Sequence, residues 1–248
     1  MSKRVAIVTG GIGGLGTEIC KYLARSGRKV VAADLASRRE RVDAFRTEVA
    51  EFDGAVTFQP LNVADHQACA EFVQDVARNH GPAAILVNAA GITRDTSLRK
   101  MAPEQWSDVL KVNLEGVFNM CRHVVDGMTG QGFGRIVNIS SVNGQTGQFG
   151  QTNYSAAKAG MHGFTMALAR EVAKKGVTVN SVSPGYCNTA LVQAVPEDIR
   201  NQIIANIPVG RLGEPREIAR TVDFLAADDA GFITGANIPV NGGYFMDF

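Results

Sequence analysis

Long hydrophobic runs, clustered cysteines and a strong charge of either sign are all missing from this 248-residue sequence. No run of about 18 apolar residues occurs, so the sequence predicts no membrane-spanning helix. The 25 basic and 24 acidic residues nearly cancel, so no global field attracts nucleic acid or a membrane surface. We therefore expect neither nucleic acid nor a membrane among the partners of this chain.

The four cysteines and four histidines are scattered along the chain. No C-x-x-C pair, His-x-His pair or H-E-x-x-H motif is present, so no metal site is predicted. Widely spaced cysteines are typical of reduced thiols in a cytosolic protein. Residues 1–4 lead directly into an apolar strand pattern and lack the features of a signal peptide. These observations predict a cytoplasmic protein.

Short β-branched runs alternate with helical patterns from one end of the chain to the other, with no repeat or linker. This alternation predicts one α/β domain, residues 1–248, with a doubly wound Rossmann fold. Continuous apolar strands suit a seven-stranded, mainly parallel sheet with helices on both faces. The first helix is expected at residues 18–25. The predicted strands are residues 5–9, 30–33, 56–58, 85–87, 135–139, 177–179 and 238–240.

A glycine-rich stretch follows the first predicted strand and opens the first predicted helix. Glycines let the backbone approach a pyrophosphate closely, and amides at a helix start favour its negative charge. The stretch fits both G-x-G-x-x-G and T-G-x-x-x-G-x-G, and the sequence leaves the register open. The first pattern uses Gly11, Gly13 and Gly16, and the second uses Gly10, Gly14 and Gly16. We predict a dinucleotide site formed by Gly10, Gly11, Gly13, Gly14, Leu15 and Gly16.

An acid, Asp34, ends the second predicted strand, 18 residues after Gly16. A carboxylate there can accept hydrogen bonds from an adenosine ribose and repels a 2′-phosphate, which favours NAD(H). Arg38 and Arg39 follow closely and would suit the extra phosphate of NADP(H). NAD(H) is therefore slightly favoured, with NADP(H) as the alternative cofactor. A simple helix N-cap is the non-functional interpretation of Asp34.

Tyr154 and Lys158 lie four residues apart in a helical pattern, which places both side chains on one helix face. A free tyrosine has a pKa of about 10, and a nearby ammonium lowers that pKa by stabilising the phenolate. Such a pair can donate a proton to a carbonyl oxygen as hydride arrives. Ser141, at the end of the fifth predicted strand, can hold the same oxygen.

The glycine loop, Ser141, Tyr154 and Lys158 together resemble the short-chain dehydrogenase/reductase family over essentially the whole chain. The resemblance implies that Tyr154 is the general acid and base, that Lys158 binds nicotinamide ribose, and that Ser141 orients the substrate carbonyl. Asn113 matches the family asparagine that holds a water beside the lysine. The cofactor contacts that the resemblance implies, besides Tyr154 and Lys158, are Asn62, Val63, Asn88, Ala90, Gly91, Pro184, Gly185 and Thr189.

Two positions depart from the family pattern. Ala89 stands in place of the second asparagine of N-N-A-G, so only Asn88 is carried over. Asn62 stands in place of the usual aspartate after the third strand. An asparagine can still hydrogen-bond adenine, so the expected contact is softened and not lost.

The residues between Ser141 and Tyr154 are rich in amides and glycine. Amides suit a polar, uncharged chain such as a thioester with a pantetheine arm better than they suit a steroid. This loop and residues 91–95, 98–101, 182–186 and 207–213 are similar to the acetoacetyl-CoA reductases of polyhydroxybutyrate synthesis. The similarity implies reduction to the (R)-3-hydroxyacyl-CoA, beneath a lid at residues 186–208. The implied substrate contacts are Asp95, Lys100, Ser141, Gln148, Phe149, Gln151 and Tyr186, with Arg94, Arg99 and Lys100 near the CoA phosphates.

Three other functions stay open. A 3-oxoacyl-acyl-carrier-protein reductase needs a basic patch for an acidic carrier. Residues 129–134 carry no charge, and only Lys174 and Lys175 remain at the second expected patch. A reductase of small free carbonyl compounds would act without CoA. A non-catalytic dinucleotide sensor would lack Tyr154 or Lys158, and both are present.

Two further expectations concern the cofactor and the assembly. Acetoacetyl-CoA reductases of this type usually take NADPH and lack an acid at the position of Asp34, which indicates an NADH-using variant. The family resemblance implies a homotetramer in which helices near residues 103–130 and 153–173 pack between subunits. The helical spacing of Trp106, Phe118 and Met120 favours packing over a pocket.

Overall fold

The computed structural model describes residues 3–246, apart from the side chain of Leu191, so Met1 and Ser2 of the expected start lie outside the described residues. A central sheet runs through this part of the chain. Its strands are β1 (Val5–Thr9), β2 (Lys29–Asp34), β3 (Val56–Pro60), β4 (Ala83–Asn88), β5 (Gly134–Ile139), β6 (Val177–Pro184) and β7 (Asn237–Val240). They lie side by side in the order β3-β2-β1-β4-β5-β6-β7, and neighbouring strands are parallel. The predicted doubly wound Rossmann sheet is confirmed.

Helices cover both faces of the sheet. Their bounds are α1 (Gly14–Arg25), α2 (Arg39–Glu48), α3 (His66–His80), α4 (Pro103–Leu110), α5 (Gly116–Gln131), α6 (Asn143–Thr146), α7 (Thr152–Val172), α8 (Ala190–Gln193), α9 (Glu197–Ala205) and α10 (Pro215–Leu225). No helix among the described residues is long and apolar enough to cross a membrane.

Alternation along each strand divides the core into two layers, because successive strand residues face opposite sides of a sheet. In β1, Ala6 and Val8 face α1, α2 and α10, where they meet residues such as Ile19 and Phe45. Val5 and Ile7 face α3, α5 and α7, where they meet residues such as Met120. All five residues of β1 are buried, so neither face of this strand reaches water.

Helix α1 begins earlier than predicted. It starts at Gly14, inside the glycine stretch, whereas the pattern of apolar residues placed its start at residue 18. The difference arises because the first turn is built from Gly14, Leu15 and Gly16, which give no amphipathic signal. The amides of the first turn therefore lie at the end of β1, where the strand enters the glycine loop.

Helices α4 and α5 form one continuous rod, because a π-helical turn at Lys111–Glu115 joins them with helical backbone angles on both sides. Such a wide turn inside an α-helix is rare and often marks a functional position. Here it carries Asn113, which is fully buried. The rod ends at Gly132, whose left-handed backbone (φ 65°) leads into β5.

Candidate active site

The carboxyl ends of β1 and β4 meet where the strand order reverses, and Thr9 joins them. Thr9 pairs in register with Asn88. Its hydroxyl accepts hydrogen bonds from the amides of Ala89 at 3.2 Å and Ala90 at 3.3 Å. Ligands of open α/β sheets bind at this reversal point. Thr9 thus shapes the floor of the crevice, and sequence reasoning assigned it no role although it directly precedes the glycines.

Three glycines of the loop, which belong to one or both of the sequence patterns, each leave no room for a Cβ atom, and each meets a different neighbour. Gly10 has a positive φ of 65°, and a Cβ there would lie 2.7 Å from the carbonyl oxygen of Ala89. A Cβ on Gly11 would lie 2.8 Å from the Ala32 side chain, and one on Gly16 would collide with the Gly10 carbonyl. These three glycines are required for backbone packing, so the two patterns describe overlapping parts of one loop.

Gly13 and Gly14 line the open side of the same loop. Gly13 occupies the N-cap of α1 and offers no side chain to cap it, so amides of the first turn are available for an anion. A Cβ on Gly14 would lie 3.2 Å from the Thr189 methyl group. The structure thus brings Thr189, a predicted cofactor contact, to the mouth of the glycine loop.

Arg41 fixes the outer wall of the loop from helix α2. Its Nε donates to the carbonyl of Ile12, and its Nη2 donates to Thr17 Oγ1 at 2.7 Å. Glu48 binds the same guanidinium. Sequence reasoning missed Arg41, because its signal is a distance in space between residues 29 positions apart.

Asp34 lies at the end of β2 and is 8% exposed. One carboxylate oxygen accepts from the Leu35 amide at 2.8 Å, and Arg38 Nη1 lies 3.1 Å and 3.3 Å from the two oxygens. Helix α2 starts only at Arg39 and has no side-chain cap, so Asp34 does not cap it. The helix-cap interpretation of Asp34 is therefore wrong, and its carboxylate lies at the cofactor edge of the sheet.

Asn62 follows β3 and Asn88 ends β4, but the two side chains have different surroundings. Asn62 is exposed beside the crevice, and its side chain accepts from the Ala64 amide at 3.1 Å. Asn88 is buried, and its Nδ2 donates to Asn138 Oδ1 at 2.9 Å. The Asn88 side chain therefore joins β4 to β5 inside the layer, so any contact of Asn88 with a cofactor would be made by its backbone. Val63 is buried beneath Asn62.

Lys158 lies in the floor of the crevice, one helical turn after Tyr154. Its ammonium donates to the Ile139 carbonyl at 2.7 Å and lies 5.6 Å from the centre of the Tyr154 ring. Burial lowers the pKa of Lys158 to about 8. A buried ammonium with one carbonyl partner retains capacity for further acceptors.

Asn113 faces Lys158 from the π-helical turn. Its Nδ2 donates to the carbonyls of Ile92 at 2.9 Å and Val109 at 2.8 Å. Its Oδ1 is buried and has no hydrogen-bond partner among the described residues. A Cβ on Gly91 would lie 2.6 Å from that oxygen and 3.7 Å from Lys158 Nζ, so all three groups share one small space. An unpaired buried acceptor beside an ammonium is a suitable site for a bridging water.

Ser141 and Tyr154 lie together at the mouth of this space, close enough for the Ser141 hydroxyl to donate to a Tyr154 phenolate and so favour it. Ser141 Oγ also accepts from the Asn143 amide at 3.1 Å, which leaves its proton free to donate. Burial raises the pKa of Tyr154, the bond with Ser141 works against that rise, and the Asp95 carboxylate adds to it. The net lowering of the Tyr154 pKa that the sequence predicted is therefore not found, because burial outweighs the groups that favour the phenolate, and Tyr154 keeps its proton at neutral pH.

Comparison with known proteins assigns the family of the chain. A sequence model described as short chain dehydrogenase matches residues 4–200. The chain is 53% identical over 243 residues to an acetoacetyl-CoA reductase of Allochromatium vinosum, covering 98% of this chain and 99% of the relative. It is 55% identical over 244 residues to an acetoacetyl-CoA reductase of Rhizobium meliloti, with the same coverage. A 3-oxoacyl-[acyl-carrier-protein] reductase of Pseudomonas aeruginosa is 43% identical over 245 residues, with 98% of each chain covered.

This chain belongs to the short-chain dehydrogenases. It is thus an oxidoreductase that acts on a carbonyl or hydroxyl group with a nicotinamide dinucleotide, NAD or NADP. The crevice fits such a group, because the glycine loop offers uncapped amides and Asp34 lies where an adenosine ribose would end. The residues predicted to hold the nicotinamide half are Lys158, Tyr154, Pro184, Gly185 and Thr189. Among the described residues, no cluster of three or more His, Cys, Asp or Glu side chains suits a metal ion.

The predicted substrate residues divide into two groups in this dehydrogenase. Gln151 Nε2 donates to Asp95 Oδ2 at 2.7 Å, and Gln151 Oε1 accepts from Asn143 Nδ2 at 2.8 Å. Since Asn143 also binds Ser141, these residues form one hydrogen-bonded chain along the rim of the crevice. Among the described residues, the side chains of the second group form no hydrogen bond with the side chains of this chain, although the Gln151 amide donates to the Gln148 carbonyl at 3.1 Å. The members of the second group are Lys100, Gln148 and Phe149, all exposed, and Tyr186, which stacks edge-on against Tyr244.

Phe149 is 90% exposed at the tip of the loop before α7, so the structure leaves its ring free for a ligand. Burial and the neighbouring Tyr244 raise the pKa of Tyr186 to about 12, so its hydroxyl keeps its proton. Tyr186 begins the predicted lid, which contains α8 and α9.

Asn153 supports Tyr154 at the start of α7, and sequence reasoning assigned it no role. It is fully buried, and its Oδ1 accepts from the Tyr154 amide at 2.8 Å. Its Nδ2 donates to the carbonyls of Arg94 at 3.2 Å and Gln105 at 3.1 Å. Asn153 therefore ties the start of α7 to the loop after β4 and to α4.

Proposed function

We propose that this dehydrogenase reduces acetoacetyl-CoA to (R)-3-hydroxybutyryl-CoA, the reaction type of polyhydroxybutyrate synthesis. The observation that carries the proposal is the hydrogen-bonded chain from Ser141 through Asn143 and Gln151 to Asp95. The rim of the crevice therefore carries amide and carboxylate groups, and such groups suit a polar, uncharged thioester. Acetoacetyl-CoA reductases with 50–55% identity over nearly the full chain support the same substrate.

Each polar residue of the crevice has a separate role in the reduction. The dinucleotide supplies a hydride to the substrate when it is bound. Ser141, whose Oγ accepts from the Asn143 amide, donates a hydrogen bond to the 3-keto oxygen and so fixes the position of that oxygen. Tyr154 donates a proton to that oxygen, and its raised pKa keeps the proton available at neutral pH. Lys158, beside the ring of Tyr154, stabilises the phenolate that remains, and Asn113 offers an acceptor for a water that returns the proton.

Coenzyme A is the favoured carrier of the acyl group over an acyl carrier protein. Arg94, Arg99 and Lys100 are exposed beside the rim and form no ion pair within residues 3–246, so they are free to bind phosphate groups. Carrier proteins require a broad basic patch. Residues 129–134 contain no charged side chain, which disfavours such docking.

NADH is the favoured cofactor in this proposal. The buried carboxylate of Asp34 would accept from a ribose hydroxyl and would repel a 2′-phosphate. Arg38 is held by Asp34, whereas Arg39 forms no ion pair within the described chain. NADPH use would require Arg38 to leave Asp34, or Arg39 to bind the phosphate without help.

We also propose that the protein acts in the cytoplasm as a homotetramer. The four cysteines are buried and unpaired, which suits a reducing compartment. Met120 is buried as predicted, but Trp106 and Phe118 are 38% and 48% exposed on the α4–α5 rod. Exposed aromatic side chains on a helical face favour packing against another subunit. Light scattering at several concentrations tests the tetramer, and a monomer mass throughout would contradict it.

The test of the reaction is a side-by-side assay of acetoacetyl-CoA with NADH and with NADPH, together with acetoacetyl carrier protein and free acetoacetate. We expect the largest kcat/KM for acetoacetyl-CoA with NADH, and (R)-product on a chiral column. Faster turnover of the carrier-protein thioester would assign the chain to fatty-acid reduction. Turnover of free acetoacetate alone would assign it to small carbonyl compounds, and binding without turnover of any of them would favour a sensor.

A further inference from the structure

A row of side-chain hydrogen bonds runs beneath the catalytic residues, and His162 stands at its centre. His162 lies one helical turn after Lys158 on α7. Its Nε2 is 3.1 Å from Ser140 Oγ, at the end of β5, and its Nδ1 is 3.1 Å from Ser181 Oγ on β6. The imidazole therefore bridges two strands and the helix that carries Tyr154.

Ser140 connects this row to the catalytic group. Its hydroxyl donates to the main-chain carbonyl of Lys158 at 2.9 Å. In return, Lys158 Nζ donates to the carbonyl of Ile139 at 2.7 Å. These two bonds tie the strand end to the helical turn of Lys158. Because Ser141 follows Ser140 directly, a shift of Ser140 would change the spacing between Ser141 and α7.

The number of protons available fixes the direction of the bond between His162 and Ser140. A serine hydroxyl has one proton, and a main-chain carbonyl only accepts. The Ser140 proton is therefore used on the Lys158 carbonyl. It follows that Ser140 Oγ accepts from His162 Nε2–H, which sets the direction of the hydroxyl.

The other side of the ring is satisfied by a neutral imidazole. Ser181 Oγ lies 3.1 Å from Nδ1 and 3.0 Å from Asn237 Oδ1, and its single proton can serve only one of these two acceptors. Because Ser183 also donates to Asn237 Oδ1, at 2.8 Å, the Ser181 proton is available for Nδ1. Burial lowers the pKa of His162, and the ammonium of Lys158 lowers it further. The Nε2–H tautomer thus satisfies every partner in the row without a second positive charge beside Lys158.

We propose that His162 is a positioning residue for the reduction: its Nε2–H directs the Ser140 hydroxyl onto the Lys158 main chain and so fixes Ser141 relative to α7. The inference rests on the proposed function, since it concerns the same catalytic group. His162 contacts no reacting atom, and the Ser181 bond serves only to hold the ring.

Two amide variants distinguish the contribution of Nε2 from that of Nδ1. The amide of His162→Gln reaches about as far as Nε2, and that of His162→Asn about as far as Nδ1. We expect His162→Gln to keep kcat within about threefold of the parent, while His162→Asn and His162→Leu lower kcat about tenfold with unchanged KM for the cofactor. Ser181→Ala is the matched control and is expected to keep kcat. Equal losses in the Gln and Asn variants that follow their unfolding midpoints would overturn the proposal, because a merely structural histidine predicts that pattern.

Nitrogen NMR of the histidines tests the bond direction without any substrate. Comparison with the spectrum of His162→Gln identifies the signals of His162. We expect a neutral Nε2–H tautomer near neutral pH in the unmodified protein, and an Nδ1–H tautomer or rapid averaging of both would overturn the proposal. No turnover of acetoacetyl-CoA by the unmodified protein would instead overturn the proposed function, and the NMR result would still decide the role of His162.

Discussion

Arg38 Nη1 lies 3.1 Å from one carboxylate oxygen of Asp34 and 3.3 Å from the other. Asp34, which we propose favours NADH, therefore also restrains the guanidinium that would suit NADPH. Removing the charge of Asp34 should free Arg38 and remove the repulsion of a 2′-phosphate at one step. We therefore predict that the cofactor preference of this chain depends on the ion pair of Asp34 and Arg38 at the end of β2.

We expect Asp34→Asn to shift the ratio of kcat/KM for NADPH over NADH upward by at least about tenfold, because a charge-assisted contact is worth about 1.5–3 kcal/mol. Asp43→Asn is the matched control, since Asp43 is an exposed acid paired with Arg46 on α2. The control should leave the ratio unchanged. An unaltered ratio in Asp34→Asn would show that Asp34 does not determine the cofactor.

Tyr154→Phe removes the hydroxyl that we propose donates the proton, and it retains the ring beside Lys158. We expect turnover to fall by about 10²–10⁴-fold, the range for loss of a general acid. Binding of NADH, followed by fluorescence, should be retained because the glycine loop is unchanged. Tyr22→Phe, at a half-buried position of α1 that packs against the core, is the control and should keep full turnover. Near-normal turnover of Tyr154→Phe would remove Tyr154 from the mechanism.

Apolar patterns predict the strands of this fold well, because a parallel sheet buried on both faces needs continuous apolar runs. All seven predicted strands are present. Strand β6 extends to Pro184, well beyond the predicted end at residue 179. The added residues include Asn180, Ser181 and Ser183, which are buried with hydrogen-bond partners on neighbouring segments. A polar run of this kind resembles a loop in the sequence, since its partners are distant along the chain.

The candidate site could be predicted as a set of residues but not as a set of contacts. Short motifs carry Ser141, Tyr154 and Lys158, and their roles stay predictions until the variants are made. The sequence did not indicate a role for Asn153 or Arg41, because each binds main-chain carbonyls that only folding brings near. The direction of the Tyr154 pKa also depends on burial, which a spacing of four residues does not reveal.

Gly91→Ala tests the small space shared by Asn113 and Lys158. The new Cβ would lie 2.6 Å from Asn113 Oδ1, and two carbonyls hold the Asn113 amide in place. We expect kcat to fall by about 100-fold, the loss that a shift of about 1 Å can cause at a reacting centre. Gly231→Ala is the control, because its Cβ makes only an ordinary 3.6 Å contact with Arg135. Unchanged kcat in Gly91→Ala would mean that the Asn113 oxygen plays no part in turnover.

The pH dependence of reduction should follow Lys158. Burial lowers the pKa of Lys158 to about 8, while it raises that of Tyr154, so the lysine loses its proton first as pH rises. We expect kcat/KM for the thioester at saturating NADH to be constant below about pH 7 and to fall above about pH 8, toward tenfold per pH unit. Initial rates from about pH 6 to about pH 10 measure this limb.

Two lysine variants test whether the fall of kcat/KM above about pH 8 comes from the ammonium group of Lys158. Lys174→Met removes an exposed lysine after α7 and should leave the profile unchanged. Lys158→Met should lower the rate strongly and abolish the fall near pH 8, because no buried ammonium then titrates. A profile of the unmodified protein that stays flat to about pH 10 would contradict the lowered pKa, since an ordinary lysine titrates at about 10.4. The same result would mean that Lys158 keeps its charge throughout this pH range, so that its burial would not limit the stabilisation of the Tyr154 phenolate.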